Sequence, residues 1–236
     1  MMSLLFLGLL IGVAHAFESD HLAAVSALIS GKTRRGQMLK LGALWGIGHT
    51  VTLFAVGGFV LLTQATINPR LALGLEGVVG VMLIGLGAHV LYRLYRDRVH
   101  FHSHAHGDGT RHLHLHSHRD DTSPHEPARH HHAHPDRAAL RTLAVGMMHG
   151  MAGSAALVLV ASATMASPLT GLFYILAFGL GSVIGMAAMS LAIAIPLSYT
   201  AKALTRINGA MQAAIGAITI GVGFLILIET TAALAG

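Results

Sequence analysis

Residues 4–29 read LLFLGLLIGVAHAFESDHLAAVSALI, an apolar stretch long enough to cross a bilayer as a helix, with the polar string HAFESDH at residues 15–21 in its middle. Ionisable side chains at membrane depth cost on the order of 2.5–3.5 kcal/mol each on insertion scales and mark functional sites. Glu18, Asp20 and His21 are therefore most simply explained by a bound cation.

The composition places the chain among integral membrane proteins. Hydrophobic residues make up 53% of the 236 residues, charged residues make up 11%, and the mean hydropathy is +0.64. We predict an all-α polytopic membrane protein with six transmembrane helices. The predicted spans cover residues 4–29, 41–64, 71–95, 140–164, 169–197 and 209–233. The absence of cysteine excludes disulfides and thiolate metal sites, so a metal would be bound through nitrogen, oxygen or thioether.

The positive charges predict the orientation of the chain in the membrane. Of the 15 Lys and Arg residues, 14 lie in or beside the connections after spans one, three and five, and Arg70 falls on the other side. By the positive-inside rule the first face is cytoplasmic. We therefore expect a multi-pass protein of the inner (plasma) membrane with both termini outside. The net charge of +5 reflects this topology and requires no nucleic-acid partner.

Three segments of the first half recur in the second half, all at nearly the same offset along the chain. The matching segments are residues 12–25 with 146–159, residues 46–51 with 179–184, and Gly85 and Gly87 with Gly221 and Gly223. Because each unit has three spans, the second copy is inverted, as in secondary transporters whose binding sites lie near mid-membrane between repeats. The predicted organisation is a first repeat at residues 1–99, a connecting segment at residues 100–136 and a second repeat at residues 137–236.

His15, Glu18, Asp20 and His21 are the candidate metal ligands of the first span. Imidazole with carboxylate suits Ni²⁺, Co²⁺ and Zn²⁺ better than Mg²⁺ or Ca²⁺, which prefer oxygen. On an ideal helix His15 and Glu18 share a face, whereas Asp20 and His21 point elsewhere. Either the helix is unwound around residues 17–20, as in the broken helices of transporters, or some of these groups orient the imidazoles that bind the ion.

Two histidines outside the first span complete the candidate ligand set. We expect His49 to contribute because a short connection would make spans one and two antiparallel neighbours, and His149 because the repeat aligns it with His15. A buried polar network that joins helices without a metal is the alternative interpretation of this set. We expect Glu76 in the first turn of span three, where the helix dipole favours an anion. Glu229 and His89 should likewise lie near span ends, outside the ligand set.

The motifs resemble those of a known family of metal permeases. HAFESDHL at residues 15–22 resembles the His-x4-Asp-His signature of the nickel/cobalt transporter (NiCoT) family, GIGHTV at residues 46–51 resembles the Gly-His-Ser/Thr motif that follows it, and HGMAGSAAL at residues 149–157 resembles its shorter, UreH-like branch. The resemblance implies a permease that takes up nickel or cobalt. Typical members have eight spans and a carboxylate in a later motif, where this chain has Ala152, Gly153 and Ser154.

The connecting segment has a composition of its own. Residues 100–134 contain 13 of the 18 histidines, mixed with Asp, Arg, Gly, Ser and Pro. Such a sequence cannot bury a core and is expected to be disordered without a ligand, on the cytoplasmic side. Flexible imidazoles bind Ni²⁺, Co²⁺, Zn²⁺ or Cu²⁺ in several arrangements, so the segment could be a buffer, a sensor, a delivery point or a plain linker.

Together these observations predict a secondary-type permease for a divalent transition-metal ion, with nickel or cobalt uptake as the family-weighted direction. Nickel or cobalt efflux and a membrane metallochaperone for nickel-enzyme maturation are the alternatives. Catalysis is not expected, because no nucleophile or separate general base accompanies the ligands. We expect no prosthetic group, Ni²⁺ or Co²⁺ as the cargo, and the lipid bilayer and cytoplasmic nickel-enzyme maturation proteins as partners, with the oligomeric state left open.

Overall fold

The computed structural model describes residues 2–32, 34–64, 68–96, 101–105, 111–115, 135–164, 167–203 and 205–235. Its helices are α1 (Met2–His15), α2 (Ser19–Ile29), α3 (Arg35–Thr63), α4 (Pro69–Arg96), α5 (Pro135–Thr164), α6 (Pro168–Ala203) and α7 (Thr205–Ala235). Proline is the first residue of α4, α5 and α6, where its fixed φ suits the first turn and its missing N–H costs no hydrogen bond.

The described helices indicate a multi-pass membrane protein with four or five candidate spans. Four helices (α3, α4, α6 and α7) are each long and apolar enough to cross a bilayer, and α1 with α2 qualifies as one broken span. Helix α5 coincides with the predicted fourth span but is not among the candidates found in the described residues. It begins with the polar sequence PDRAALR. The total of six spans therefore stays a prediction.

The first span is broken at the polar string. Helix α1 ends at His15, α2 begins at Ser19, and the two axes meet at 60°. Of the two alternatives for this string, the structure has the local unwinding, with residues 16–18 outside both helices. Ala16 within the break and His21 just beyond it are almost completely buried, whereas Phe17 is exposed, so the break faces the interior of the bundle on one side only.

The helices pack mainly against helices of the other half of the chain. Helix α1 packs on α6, α3 packs on both α5 and α6, and α4 packs on α7. Spans one and two are in contact through α2 and α3, as the short connection predicted, but this contact is less extensive than those between the two halves. Small residues explain the difference: a Cβ at Gly12 would collide with the backbone of Phe178, and one at Gly181 would collide with that of Leu9. Glycine at both positions lets α1 and α6 approach closely.

Burial is consistent with a membrane environment. The largest fully buried side chains include Trp45, Met38, Leu83 and Met186. Large apolar side chains also cover the outside of the bundle, and they include Phe6, Phe59, Leu71, Leu176 and Ile228. A surface with this many exposed apolar side chains is stable in lipid and would aggregate in water.

The histidine-rich segment contains two short strands, β1 (Phe101–Ala105) and β2 (Arg111–Leu115), which pair antiparallel. These ten residues differ from the expectation of a segment without secondary structure. The alternation of Leu and His in β2 explains the difference, because it has the period of a strand. Residues 106–110 and 116–134 lie outside the described residues, so the expectation of disorder there stays a prediction, as do the domain boundaries.

Candidate metal centre

Four histidines from three regions of the fold meet beside the break in the first span. His15 ends α1, His21 lies in the first turn of α2, His49 is in α3 and His149 is in α5. The ring centroids of His15 and His21 are 4.4 Å apart, those of His21 and His149 are 4.2 Å apart, and His49 lies 5.2 Å from His21 and 5.5 Å from His15. His21, His49 and His149 are almost fully buried.

Close backbone approach brings His49 and His149 to this point. A Cβ at Gly150 would collide with the backbone of His49, and one at Gly146 would collide with the backbone of Trp45. Both glycines flank His149 on α5 and let that helix lie directly on α3. The indole of Trp45 then packs 5.3 Å from the His21 ring and 5.4 Å from the His149 ring, and so forms an apolar floor under the cluster.

Asp20 connects two of the imidazoles. Its Oδ1 accepts hydrogen bonds from the backbone N–H of His21 at 2.8 Å and from His21 Nδ1 at 2.9 Å. Its Oδ2 lies 3.0 Å from His149 Nε2, which donates to it. A carboxylate that accepts from one ring nitrogen fixes the tautomer and leaves the other nitrogen with its lone pair. Nε2 of His21 and Nδ1 of His149 are therefore the nitrogens available for an ion.

Glu18 has the same relation to His15. The Nδ1 of His15 lies 2.8 Å from Oε1 of Glu18, so the carboxylate accepts this proton and His15 Nε2 keeps its lone pair. The Glu18 side chain is 58% exposed. This contact with Nδ1 suits a residue that orients His15.

The ring nitrogens that face the cluster have no partner. Among the described residues the buried Nε2 atoms of His15 and His21, both ring nitrogens of His49 and Nδ1 of His149 form no hydrogen bond, and neither does the indole nitrogen of Trp45. A buried polar atom without a partner costs about 1–3 kcal/mol. The indole nitrogen and one nitrogen of His49 carry protons, so His15, His21, His49 and His149 each offer one lone pair, which a soft or borderline cation can use.

Two overlapping sets of three residues could each bind a metal ion, because within each set the potential ligand atoms all lie within 4.8 Å of one another. One consists of His15, His21 and His49, and the other consists of Asp20, His21 and His149. The first set has only imidazole nitrogens that are free of hydrogen bonds. In the second set both oxygens of Asp20 already accept hydrogen bonds from imidazole. The geometry therefore favours three imidazoles as ligands, with the carboxylates orienting them.

A cavity of about 650 Å³ opens onto this cluster, and two residues that the sequence reasoning set aside line it. Glu76 and Glu229 lie on its wall together with Glu18 and Asp20. Helix α4 begins at Pro69, so Glu76 lies in the third turn and the expectation of a first-turn position was wrong. The sequence does show these two carboxylates, each in an apolar span, and that could have marked them as functional. Their proximity, however, depends on the packing of α4 on α7.

A second, smaller cavity at the opposite end of α4 is lined by cationic side chains. It measures about 240 Å³, and Lys32, His89, Arg93 and Arg141 lie on its wall. Partial burial, together with the positive charges of Arg93 and Arg141, lowers the pKa of Lys32. Glu76 and Arg93 are 17 residues apart on α4, about 25 Å along a straight helix, so the two cavities lie towards opposite membrane faces.

Arg93 closes the end of the bundle beside this cavity. Its guanidinium donates to the Ser30 carbonyl at 2.6 Å and to Oε1 of Gln212 at 3.3 Å, and the Ser30 hydroxyl donates to the same amide oxygen at 3.4 Å. Gly31 has a φ of +72°, and a Cβ there would collide with the guanidinium, so glycine is required on both counts. These bonds join the ends of α2, α4 and α7.

The structure thus brings His15, Asp20, His21, His49 and His149 together as the sequence predicted, while Glu18 lies at the edge of the cluster. Ion binding by these residues stays a prediction. His89 lines the cationic cavity, away from the cluster.

Comparison with known proteins gives two relatives. The chain is 33% identical to the urease accessory protein UreH of Bacillus sp. (strain TB-90) over 217 residues, which is 90% of this chain and 85% of that protein. It is 23% identical to the chloroplast protein FOR GROWTH AND FERTILITY 2 of Arabidopsis thaliana over 94% of this chain and 55% of that protein. No family profile matches the chain, and no solved structure matches it.

Proposed function

The chain belongs to the nickel/cobalt transporter (NiCoT) family of UreH, and from this premise we propose that it is a membrane permease that carries Ni²⁺ or Co²⁺ into the cell. The observation that carries the proposal is the set of buried, unpartnered imidazole nitrogens of His15, His21 and His49, of which His15 and His21 line a cavity. Assignment to a shorter branch of the family stays a prediction.

The ligand type favours nickel or cobalt over the alkaline-earth ions. Three neutral imidazoles suit Ni²⁺, Co²⁺ and Zn²⁺, whereas Mg²⁺ and Ca²⁺ prefer oxygen ligands. Three protein ligands leave positions for water, which lets a cargo ion enter and leave. Asp20 and Glu18 would hold the imidazoles in the required tautomers, and His149 would hold Asp20 from the other side.

The pattern of helix contacts supports two inverted three-helix units around this site. Exchange of the halves converts the α1–α6 pair into the α5–α3 pair and leaves α3–α6 and α4–α7 as pairs. Between α4 and α7, a Cβ at Gly80 would lie 2.9 Å from the carbonyl oxygen of Gly223, and one at Gly87 would lie 2.5 Å from that of Gly216. The shift along the chain that aligns Gly80 with Gly216 also aligns Gly87 with Gly223, so it converts one of these contacts into the other.

The repeat also exchanges contacts nearer the metal centre. A Cβ at Gly48 would collide with the carbonyl oxygen of Leu143, and one at Gly181 would collide with that of Leu9. Nearly the same shift relates Gly48 to Gly181 and Leu9 to Leu143, so the repeat also exchanges these two contacts. An internal two-fold arrangement of this kind is typical of transporters that alternate access around a central site.

The two cavities indicate the direction from which the ion arrives in this conformation. The acidic cavity would attract a cation from the outer face, and the Arg93 bonds would keep the cytoplasmic end closed. Alternating access then requires those bonds to break. This assignment of faces rests on the positive-inside rule, which places both termini outside in the inner (plasma) membrane and the histidine-rich segment in the cytoplasm.

Transport of radiolabelled nickel into proteoliposomes tests the proposal. His15→Ala, His21→Ala and Asp20→Ala are expected to abolish uptake while each variant still inserts and purifies like the unaltered chain. Gly85→Ala is the control, because a Cβ there has nothing within 4 Å and Gly85 does not line the cavity. Unchanged uptake in all three variants would exclude this site.

A metallochaperone that hands nickel to a maturing enzyme is the second candidate, because the relative at 33% identity is called a urease accessory protein. A chaperone would bind nickel through the same histidines but give no flux into sealed proteoliposomes. Direction is tested in cells: an importer sensitises them to nickel, whereas an exporter protects them.

A further inference from the structure

The cationic cavity lies where the ends of α2, α4 and α5 meet. Lys32 follows the end of α2, Arg93 lies in the last turn of α4 and Arg141 lies in the second turn of α5. All three side chains line this cavity of about 240 Å³. Partial burial and the positive charges of Arg93 and Arg141 lower the pKa of Lys32, so the three charges are close enough to repel one another. A bound anion would offset this repulsion.

The surroundings of the cavity also favour an anion. Hydrogen bonds to the Ser30 carbonyl and to the Gln212 amide hold Arg93 in place, so its charge need not be ordered on binding. Ala138 and Thr142, in the first turns of α5, line the same cavity. The N-terminal end of α5, which carries a partial positive charge, therefore lies beside it. Guanidinium groups and helix N-termini are both frequent partners of phosphate.

The cavity opens at the surface of the bundle, at the level expected for lipid headgroups. His89 and Arg141 line it and are both exposed. Tyr92 and Tyr95, near the end of α4, have exposed fractions of 59% and 69%. Exposed tyrosines near the end of a span are typical of the membrane–water interface. The mouth of the cavity therefore lies where a bilayer has its phosphate groups.

Much of the remaining wall is apolar, which favours a lipid over a free inorganic anion. The apolar side chains on the wall are those of Ala27, Leu28, Leu41, Leu86 and Val90. A hydrated inorganic anion gains nothing from such a wall, whereas the carbon atoms of a lipid do. The cavity is smaller than the pockets of about 300–1,000 Å³ that hold drug-sized molecules, and it suits a single headgroup.

We propose that the cationic cavity binds the phosphate group of an anionic phospholipid, with Lys32, Arg93 and Arg141 as its charged partners and the apolar wall in contact with the carbon atoms of the lipid. Basic pockets between transmembrane helices are typical headgroup sites. The bound lipid would join α2, α4 and α5 at the end of the bundle that the Arg93 bonds close. The site requires a cavity at a membrane interface and does not depend on nickel transport.

Titration of the full-length, detergent-solubilised chain with phosphatidylglycerol tests this site, with bound lipid counted by native mass spectrometry. In Lys32→Gln with Arg141→Gln, we expect the affinity of the tightest lipid to fall by about tenfold or more, because each cation beside an anionic headgroup contributes about fivefold. Arg34→Gln with Lys40→Gln is the matched control. It removes the same charge from exposed residues that do not line the cavity, and it should bind the lipid within about twofold of the original chain.

Thermal unfolding separates a lipid site from a structural role of the two cations. Without lipid, the midpoint of Lys32→Gln with Arg141→Gln should be unchanged or higher, because charges that repel one another have been removed. Phosphatidylglycerol should raise the midpoint of the original chain, as any ligand of the folded state does, and should raise that of the double variant less. A lower midpoint of the double variant without lipid, and an equal rise with lipid, would each overturn the proposal.

Phosphatidylcholine and inorganic phosphate are the further probes. Phosphatidylcholine has a phosphate whose charge its own amine offsets, so we expect it to bind about tenfold more weakly than phosphatidylglycerol. Equal stabilisation by inorganic phosphate at the same concentration would assign the cavity to a free anion and overturn the lipid proposal. Equal loss of lipid affinity in the matched control would mean that only the net charge of this face matters, and would also overturn it. Binding is measured without nickel, so this site and the permease proposal can fail independently.

Discussion

The two ends of the α4 and α7 pair carry opposite charge. At one end Glu76 and Glu229 line the large cavity that reaches the histidine cluster. At the other end Arg93 donates hydrogen bonds to Ser30 and Gln212 beside a cavity that the cationic side chains of Lys32, Arg93 and Arg141 line. In the proposed permease, the first end would attract a cation, and the second would repel it and be closed by the Arg93 bonds.

These opposite ends are built from equivalent positions of the proposed repeat. The same shift along the chain that aligns the glycines of α4 with those of α7 also aligns Glu76 with Gln212 and Arg93 with Glu229. The backbone contacts of the pair are near-symmetric, whereas the side chains at its ends are not. If the repeat is correct, it supplies a scaffold with two similar ends, and different polar residues at equivalent positions distinguish them.

Reversal of charge at the acidic end should have the largest effect. In Glu76→Lys with Glu229→Lys, two positive charges would line the cavity and repel an entering dication. We expect nickel uptake in proteoliposomes to fall by about tenfold or more, because clefts of one sign alter association rates by about 10–10³. Arg70→Gln, which changes charge on the same side but outside the cavity lining, should transport normally. Normal uptake in the double lysine variant would mean that ions do not enter by this cavity.

Loss of the Arg93 bonds should open the cationic end. The chain contains no cysteine, so single cysteines report accessibility without background. Ala27 is buried and lines the cationic cavity, so Ala27→Cys places a reporter thiol there. This cysteine should react faster with an impermeant thiol reagent from the cytoplasmic side when Arg93→Ala is also present. We expect an increase of about threefold or more if the Arg93 bonds favour the closed state by about 1 kcal/mol. Ser19→Cys, on the wall of the acidic cavity, should not react faster with reagent from outside. Equal rates at Ala27→Cys with and without Arg93 would contradict a closing role.

Neutralisation of the acidic end should have a smaller effect than reversal. Glu76→Gln with Glu229→Gln keeps the shape of the cavity wall and removes its charge. We expect KM for nickel to rise by about three- to tenfold with little change in kcat, because these carboxylates would attract the ion to the cavity and take no part in the step that moves it across the membrane. The difference should shrink in about 0.5 M salt, where charges are screened within a few ångströms. A fall in kcat with unchanged KM would instead place the two residues in the transport step.

The sequence predicted much of this centre because its signals are local. The string at residues 15–21 combines costly polar groups with an otherwise apolar span, and it predicted the gathering of His15, Asp20 and His21, with a break of the helix as one of two ways to achieve it. His149 was found through its alignment with His15. These inferences need only helix geometry and the free energy of burying charge.

What the sequence could not predict depends on which helices touch. Spans one and two were expected to be neighbours from loop length alone, whereas close glycine contacts pair helices across the two halves. Glu76 and Glu229 looked like residues of span ends until the packing of α4 on α7 placed both at the same cavity. Short loops restrict distance between helix ends, but complementary small residues decide the interfaces.

The symmetric backbone of the pair can itself be tested by its glycines, with the smallest expected effect. Gly87 and Gly223 occupy equivalent positions, and a Cβ at either would lie within 2.6 Å of a carbonyl oxygen on the opposite helix. Gly87→Ala and Gly223→Ala should each destabilise the protein in detergent by about 1–3 kcal/mol, the usual cost of overpacking.

The matched controls are the equivalent pair Gly85 and Gly221, where a Cβ would have no heavy atom of another element within 4 Å. Gly85→Ala and Gly221→Ala should leave the thermal midpoint unchanged or raise it slightly, because alanine favours the helix over glycine. Equivalent glycines of the two halves should therefore behave alike: Gly87→Ala and Gly223→Ala should both destabilise the protein, and Gly85→Ala and Gly221→Ala should not. If Gly87→Ala lowered the midpoint and Gly223→Ala did not, the contacts of α4 and α7 would not be related by a two-fold axis, and the near-symmetric scaffold behind the two unequal ends would have to be abandoned.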